Sequence, residues 1–181
     1  MPSLVAVCAV HALRPDSGSV GVTAIDKRAL DGAVRIGPLG VRADVQASRK
    51  HHGGPDKAVY AYAQDDAQFW EQQLGRELAP GWFGENLRLD GVDVNSARIG
   101  EVWRIGDTVQ LEVTMPRTPC ATFARWVGGS AGRGWVKRFS DEGRLGAYLR
   151  VRRAGDVRAG DPVEIVSSPS DAPTVLELYR S

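Results

Sequence analysis

Apolar residues along this chain fall in short blocks, and most of the blocks read as strands. Leu4–Val10 is a continuous apolar run, the pattern of a strand covered on both faces. Short candidates follow at Val22–Ile25, Ala33–Ile36 and Val41–Val45, divided by the turn signals Asp31-Gly32 and Gly37-Pro38. Ala58–Ala63 is another strand. Leu87–Leu89 ends at Asp90-Gly91, a hairpin-type signal. From Val109 the alternation is strict: Val109, Leu111, Val113 and Met115 share one face, Gln110, Glu112 and Thr114 the other. Ala147–Val151 and Val163–Val166 complete the strands. One segment has the helical period. Ala67, Trp70 and Leu74 fall on one side, Asp65 reads as the cap with Gln68 as its capping-box partner, and Gly75 can stop the helix.

A local echo supports the β reading. Gly100-Glu-Val-Trp-Arg-Ile-Gly-Asp-Thr-Val resembles Gly155-Asp-Val-Arg-Ala-Gly-Asp-Pro-Val, each a strand, a Gly-Asp turn and a strand. Many short strands with regular turns predict a barrel or sandwich. One domain over residues 1–166 is expected. Residues 167–181 read as a linker-like tail, with one or two helical turns at Thr174–Tyr179 and fraying at the end.

Composition narrows the function. Lys and Arg number 23 against 22 Asp and Glu, which excludes a general nucleic-acid grip. The two cysteines, Cys8 and Cys120, are far apart, so a disulfide framework and a structural zinc site are poor readings. Free thiols fit a reducing, cytoplasmic setting. No apolar run approaches the roughly 20 residues of a membrane span. The apolar start lacks a basic n-region and reads as a first strand, not a leader.

Three clusters can carry chemistry. In His51-His52-Gly53-Gly54-Pro55-Asp56-Lys57, the glycines bring backbone N–H groups close to a ligand, and the imidazoles and Lys57 favour an anion. The bland alternative is a Gly-Gly-Pro turn with incidental polar flanks. In Arg117-Thr118-Pro119-Cys120, Thr118 reads as a helix N-cap with Pro119 first in the helix, so that Cys120 lies in the first turn. There the dipole and Arg117 favour its thiolate. Such a thiolate serves as a nucleophile or a soft metal ligand; the alternative is a buried structural cysteine, the reading given to Cys8. In Gly81-Trp82-Phe83-Gly84-Glu85-Asn86, Asn86 can both donate to and accept from a polar ring edge, or the segment is a tight loop with an aromatic anchor. Arg150 faces a ligand or, the reading preferred, water.

Taken in order, the run from His51 to Tyr62, Gly84-Glu-Asn-Leu, Ile105-Gly-Asp, Arg117-Thr-Pro-Cys120, Gly146-Ala-Tyr-Leu-Arg-Val and Ala159-Gly-Asp-Pro-Val resemble MOSC domains, the C-terminal domain family of molybdenum cofactor sulfurases. The resemblance runs from about Val5 to Val166, and it is to stand-alone bacterial members linked to resistance against N-hydroxylated base analogues. It implies a mainly β fold, a MOSC-like β-barrel with a few short α-helices. It also implies a molybdopterin-type molybdenum cofactor, with Cys120 as molybdenum ligand or persulfide carrier. By the same resemblance Lys27, His52, Gly53, Gly54, Lys57, Asn86, Arg117 and Thr118 bind the cofactor. The family's proline after the lysine is absent beside Lys27, Ala43 replaces the glycine of a Gly-Asp-x-Gln motif, and Ser48 stands where an Asp is common. Residues 167–181 look like the opening of a three-helix extension.

The implied activity is reduction of small N-hydroxylated compounds, such as hydroxylamino bases, to amines. No flavin, Fe–S or nicotinamide motif is present in the sequence, so a separate reductase is expected to supply electrons. The alternatives are a persulfide sulfur carrier, a cofactor storage or delivery module, and a Cys-His hydrolase using Cys120 and His52. No nucleic-acid or membrane partner is expected; a homodimer remains open.

Overall fold

The computed structural model describes residues 1–18, 20–45, 54–128 and 132–181. Eleven strands form two sheets: β1 (Ser3–Pro15), β2 (Val22–Ala29), β3 (Val34–Gly37), β4 (Gly40–Val41), β5 (Val59–Ala63), β6 (Leu87–Asp90), β7 (Val102–Ile105), β8 (Val109–Pro116), β9 (Ala147–Arg153), β10 (Gly155–Val157) and β11 (Val163–Ser167). Four helices are described: α1 (Gln64–Leu74), α2 (Ala121–Val127), α3 (Trp135–Glu142) and α4 (Val175–Arg180), with a 3-10 turn at Pro55–Lys57. None is long and apolar enough to cross a membrane.

The large sheet has eight strands in the order β11-β7-β8-β9-β5-β6-β1-β2, and β10-β3-β4 form the small one. The fold is mostly β, as expected, but the large sheet does not close into the expected barrel. Closure needs a ladder between its two ends. The start of β1 meets the segment before β11 only through an isolated bridge, Ser3 opposite Pro162. Leu4 N donates to Asp161 O (2.8 Å) and Val163 N to Pro2 O (3.0 Å). Pro2 and Pro162 lack the N–H groups that would extend the pairing.

β5 is buried on both faces. Val59, Ala61 and Ala63 point into an aliphatic core with Leu87, Leu111, Val113 and Leu149. Tyr60 and Tyr62 point the other way, into an aromatic core with Trp70, Phe83, Phe123, Trp135 and Phe139. α1, α2 and α3 cover this aromatic side, while Val175 of α4 joins the aliphatic core. α1 is the crossover that lets β5 and β6 run parallel.

Several boundaries differ from the sequence reading. β5 runs straight into α1, so Ala63 is its N-cap and Asp65 caps nothing; Gly75 does end the helix, in the left-handed conformation. Asp90-Gly91 makes a turn but no hairpin, because β6 pairs with β1 and β5 instead. The strand expected at Val41–Val45 is only Gly40–Val41. Past Val41, Asp44 turns its carboxylate back to the Val10 N–H (2.9 Å). The helical end of the tail is docked on the fold. Thr174 and Glu177 form a reciprocal capping box, Val175 is fully buried, and Val175 and Leu176 donate backbone bonds to Ala97 and Asn95.

Candidate functional site

A cavity of about 420 Å³ opens where β2, β5, β6 and β9 meet the start of α2. Lys27, Lys57, Tyr60, Asn86, Arg117, Cys120 and Tyr148 all line it. Its described lining holds four cationic side chains, Lys27, Lys57, Arg117 and Arg125, against one carboxylate, Asp16. The chain as a whole is nearly neutral, so this concentration of charge is local and suits an anion.

The floor is a fixed network. Asn86, at the entry to β6, donates through Nδ2 to Cys8 O (3.2 Å) and Asp44 Oδ2 (2.7 Å), and its Oδ1 accepts from Tyr60 N (3.1 Å). Both amide donors are thus committed to the protein. Asn86 locks β1, β5 and β6 together beneath the cavity and does not present the free ring-edge reader expected of it. Asp44 is the hub. Its Oδ2 also pairs with Lys27 Nζ at 2.6 Å, with both side chains about nine-tenths buried. Lys27 therefore arrives in the cavity aimed and charge-balanced. Asp44 lies in the Ala43-Asp44-Val45-Gln46 stretch, and the motif around it was the one signal of its role.

Arg117 is the contrast to Lys27. It directly follows β8, and its backbone N–H donates to Gly146 O at 3.2 Å. Gly146 has φ +72°, and a Cβ there would lie 2.5 Å from Ala61 O and 2.8 Å from carbons of Tyr60 and Tyr62. That close approach is what seats the Arg117 backbone against the sheet. The Arg117 guanidinium is buried among rings, 4.7 Å from the Phe123 centroid and 5.8 Å from that of Tyr60. Its Nη1 has no hydrogen-bond partner, and no ion pair to it is found among the described residues. Burial disfavours its charge, but Tyr60, Cys120 and Tyr148 act the other way and leave its pKa above the ordinary value. A buried, charged donor without an acceptor, lining a cavity, is a position built for an anionic guest.

Cys120 stands three residues on. Pro119 holds Thr118 out of the helix, and Cys120, extended at φ −134° and ψ 162°, becomes the N-cap of α2. The predicted Thr118 cap is therefore displaced by two positions; Thr118 is exposed, caps nothing and does not line the cavity. Cys120 keeps partial exposure and lines the cavity. Cys8 is fully buried, and burial pushes its thiol far above the usual range, in keeping with a core role. Tyr60 and Tyr148 are both held protonated, chiefly by burial; the Tyr60 hydroxyl donates to Leu145 O at 2.8 Å. Lys57 Nζ lies 5.7 Å from the Tyr148 ring centroid.

The remaining predicted residues separate. His52 and Gly53 lie outside the described residues. Gly54 is exposed, at φ +98°, and does not line the cavity. Arg150 does not line the cavity; partly exposed at the surface, it pairs with Asp56 at 2.6 Å. No group of three or more His, Cys, Asp or Glu placed to hold a metal ion is found among the described residues.

The model of the MOSC domain family matches residues 48–164. The chain belongs to the MOSC domain family. It is 33% identical over 159 residues to protein YiiM of Escherichia coli (strain K12), covering 86% of this chain and 68% of that protein. It is 33% identical over 178 residues to a protein named reductase of Gibberella moniliformis, covering 94% of this chain and 31% of that protein. The crystal structure of YiiM from Geobacillus stearothermophilus superposes with a TM-score of 0.78 at 25% identity, covering 99% of this chain and 83% of that one. The chain spans between 31% and 68% of the length of the curated relatives it matches. This MOSC domain thus carries the Arg117–Cys120 segment, the Asn86 lock and the cationic cavity in one place.

Proposed function

We propose that this MOSC domain binds a molybdopterin-type molybdenum cofactor in the Cys120 cavity and reduces small N-hydroxylated compounds there. The carrying observation is the orphaned Nη1 of buried Arg117, in the same cavity as a partly exposed thiol. The residues present fit such a group. It is anionic, which suits Arg117, Lys27 and Lys57, and its metal is bound by sulfur, which suits a thiol donor. The described residues offer no metal-binding cluster of their own, so Cys120 would be the protein's ligand to a metal that the cofactor already carries.

When bound, the cofactor supplies the two-electron redox step by which an N–OH group becomes N–H and water. The chain's own residues bind, orient and protonate. Arg117 and Lys27 would hold its anionic groups and Cys120 its metal, while Tyr148, kept protonated by burial, and Lys57 line the same cavity. Electrons would come from a separate reductase. The fungal relative's name, reductase, supports this class of reaction.

The test is elemental analysis of protein from a molybdenum-replete host, wild type beside Cys120→Ala. Stoichiometric molybdenum in the wild type, lost in the variant, and turnover of a hydroxylamino base with an artificial electron donor support the reading. Molybdenum retained by Cys120→Ala overturns it. A molybdenum-free wild type whose Cys120 is about 32 Da heavier (one sulfur atom) establishes a persulfide carrier in its place.

A further inference from the structure

On the wall of the cavity, Asp16, which directly follows β1, meets Arg125 of α2. Asp16 Oδ1 accepts from Arg125 Nε at 2.6 Å and Oδ2 from Nη2 at 2.7 Å. This is the two-point fork that arginine makes with carboxylates. Oδ2 also accepts from Thr122 Oγ1 (3.1 Å) and from Gly18 N (3.3 Å). The carboxyl is held below its ordinary range, chiefly by the Arg125 hydrogen bonds. Asp16, Gly18, Thr122 and Arg125 all line the cavity that holds Cys120.

Two observations show what the contact controls. α2 is anchored on its other side by Phe123 and Val127, buried in the aromatic core. Among the described residues the β1–β2 connection has no such apolar anchor, since Val20 and Val22 beside it are 49% and 43% exposed. At this point the described contacts of the connection with α2 include the polar bonds of Asp16 to Arg125 and Thr122. The pair lies directly against the Gly18 backbone. A Cβ on Gly18 would come within 2.8 Å of Asp16 Oδ2 and 2.9 Å of Arg125 Nη2.

We infer that Asp16 and Arg125 form a specificity-determining clasp, which limits by size the molecules that reach Cys120. The Arg125 side chain is 38% exposed and that of Asp16 9%, so salt reaches the pair from the arginine side and loosens the clasp. The inference concerns access to the thiol and holds whichever cofactor or sulfur species Cys120 carries.

The test measures alkylation of Cys120 in the folded protein by a small reagent, iodoacetamide, and a bulky one, fluorescein maleimide, with peptide mapping of the label. In Asp16→Asn the bulky reagent is expected to react about two- to fivefold faster, the range that a partly exposed pair allows, and iodoacetamide less than about twofold faster. Wild type in 1 M NaCl should move the same way, which keeps the test valid if the variant folds poorly. The charge-swapped double variant Asp16→Arg with Arg125→Asp should restore the wild-type ratio of the two rates. Equal acceleration of both reagents, or no change in either arm, overturns the clasp.

Discussion

Arg88 and Arg117 are both buried arginines set against aromatic rings, and they have opposite surroundings. The Arg88 guanidinium lies 5.6 Å from the Phe83 centroid and 6.0 Å from Tyr62. It pairs with Glu85 at 2.5 Å and also reaches Gln64 Oε1 and Ala79 O. Glu85, fully buried, in turn accepts from the N–H groups of Gly81 and Phe83 and so fixes the loop that leads into Asn86. Arg117 has the same kind of aromatic bed but no carboxylate, and one nitrogen is left without an acceptor. A buried charge with a complete set of partners belongs to the fold. One left incomplete beside a cavity marks where a ligand completes it.

The largest expected effect tests this division directly. Arg88→Met strands the Glu85 carboxylate in the core, and breaking a buried pair from one side costs about 3–5 kcal/mol. Arg117→Met removes a charge that has no internal partner. In metal-free protein it should change stability by less than about 1 kcal/mol or raise it, because a buried unpaired cation is replaced by an apolar side chain of similar volume. Urea unfolding of both variants checks the pair. An Arg117→Met loss as large as that of Arg88→Met would make Arg117 a structural residue and break the comparison.

The same division sorts the cysteines, with a smaller effect on the folded protein. Cys8 is fully buried with its thiol shifted far upward, and Cys120 is partly exposed in the cavity. At neutral pH a disulfide reagent should titrate a single thiol in native protein, mapped to Cys120, and both thiols in denaturant. Rapid native reaction at Cys8 would contradict its burial.

How much of this was legible depended on the range of the interactions. Residues 109–115 alternate in the sequence because each side chain answers to its own face of the strand, and Val109, Leu111 and Val113 are indeed fully buried. The Arg117-Thr-Pro-Cys120 segment was visible as a local motif, although Pro119 moved the helix start past Thr118. α3 was not read from the sequence, yet Trp135 and Phe139, four apart between Gly134 and Gly143, carried its signal. The Asp16–Arg125 pair spans 109 positions and left no local trace. Asp44 carried only the faint signal of the motif around it, because its partners, the Val10 N–H, Lys27 and Asn86, lie 34, 17 and 42 positions away and meet it only in the folded chain.

The smallest effects come from two carboxylates that shift in opposite directions, one on each side of the division. Asp66 sits in the structural region, bonded to Arg144 and Asn95, but burial outweighs these partners and raises its pKa above 3.8. Its ionisation therefore opposes folding: its favourable contribution is complete below the ordinary value and is lost as pH rises through the folded value. Asp16 on the cavity wall is lowered, chiefly by Arg125. Its contribution is present above the ordinary value of 3.8 and is lost as pH falls through the lower, folded value. Comparing urea midpoints of wild type with Asp66→Asn and with Asp16→Asn across the acid range separates them. On acidification the wild type should gain on Asp66→Asn and lose its advantage over Asp16→Asn. Two differences of the same sign would mean that one of these carboxyls is not in the environment described.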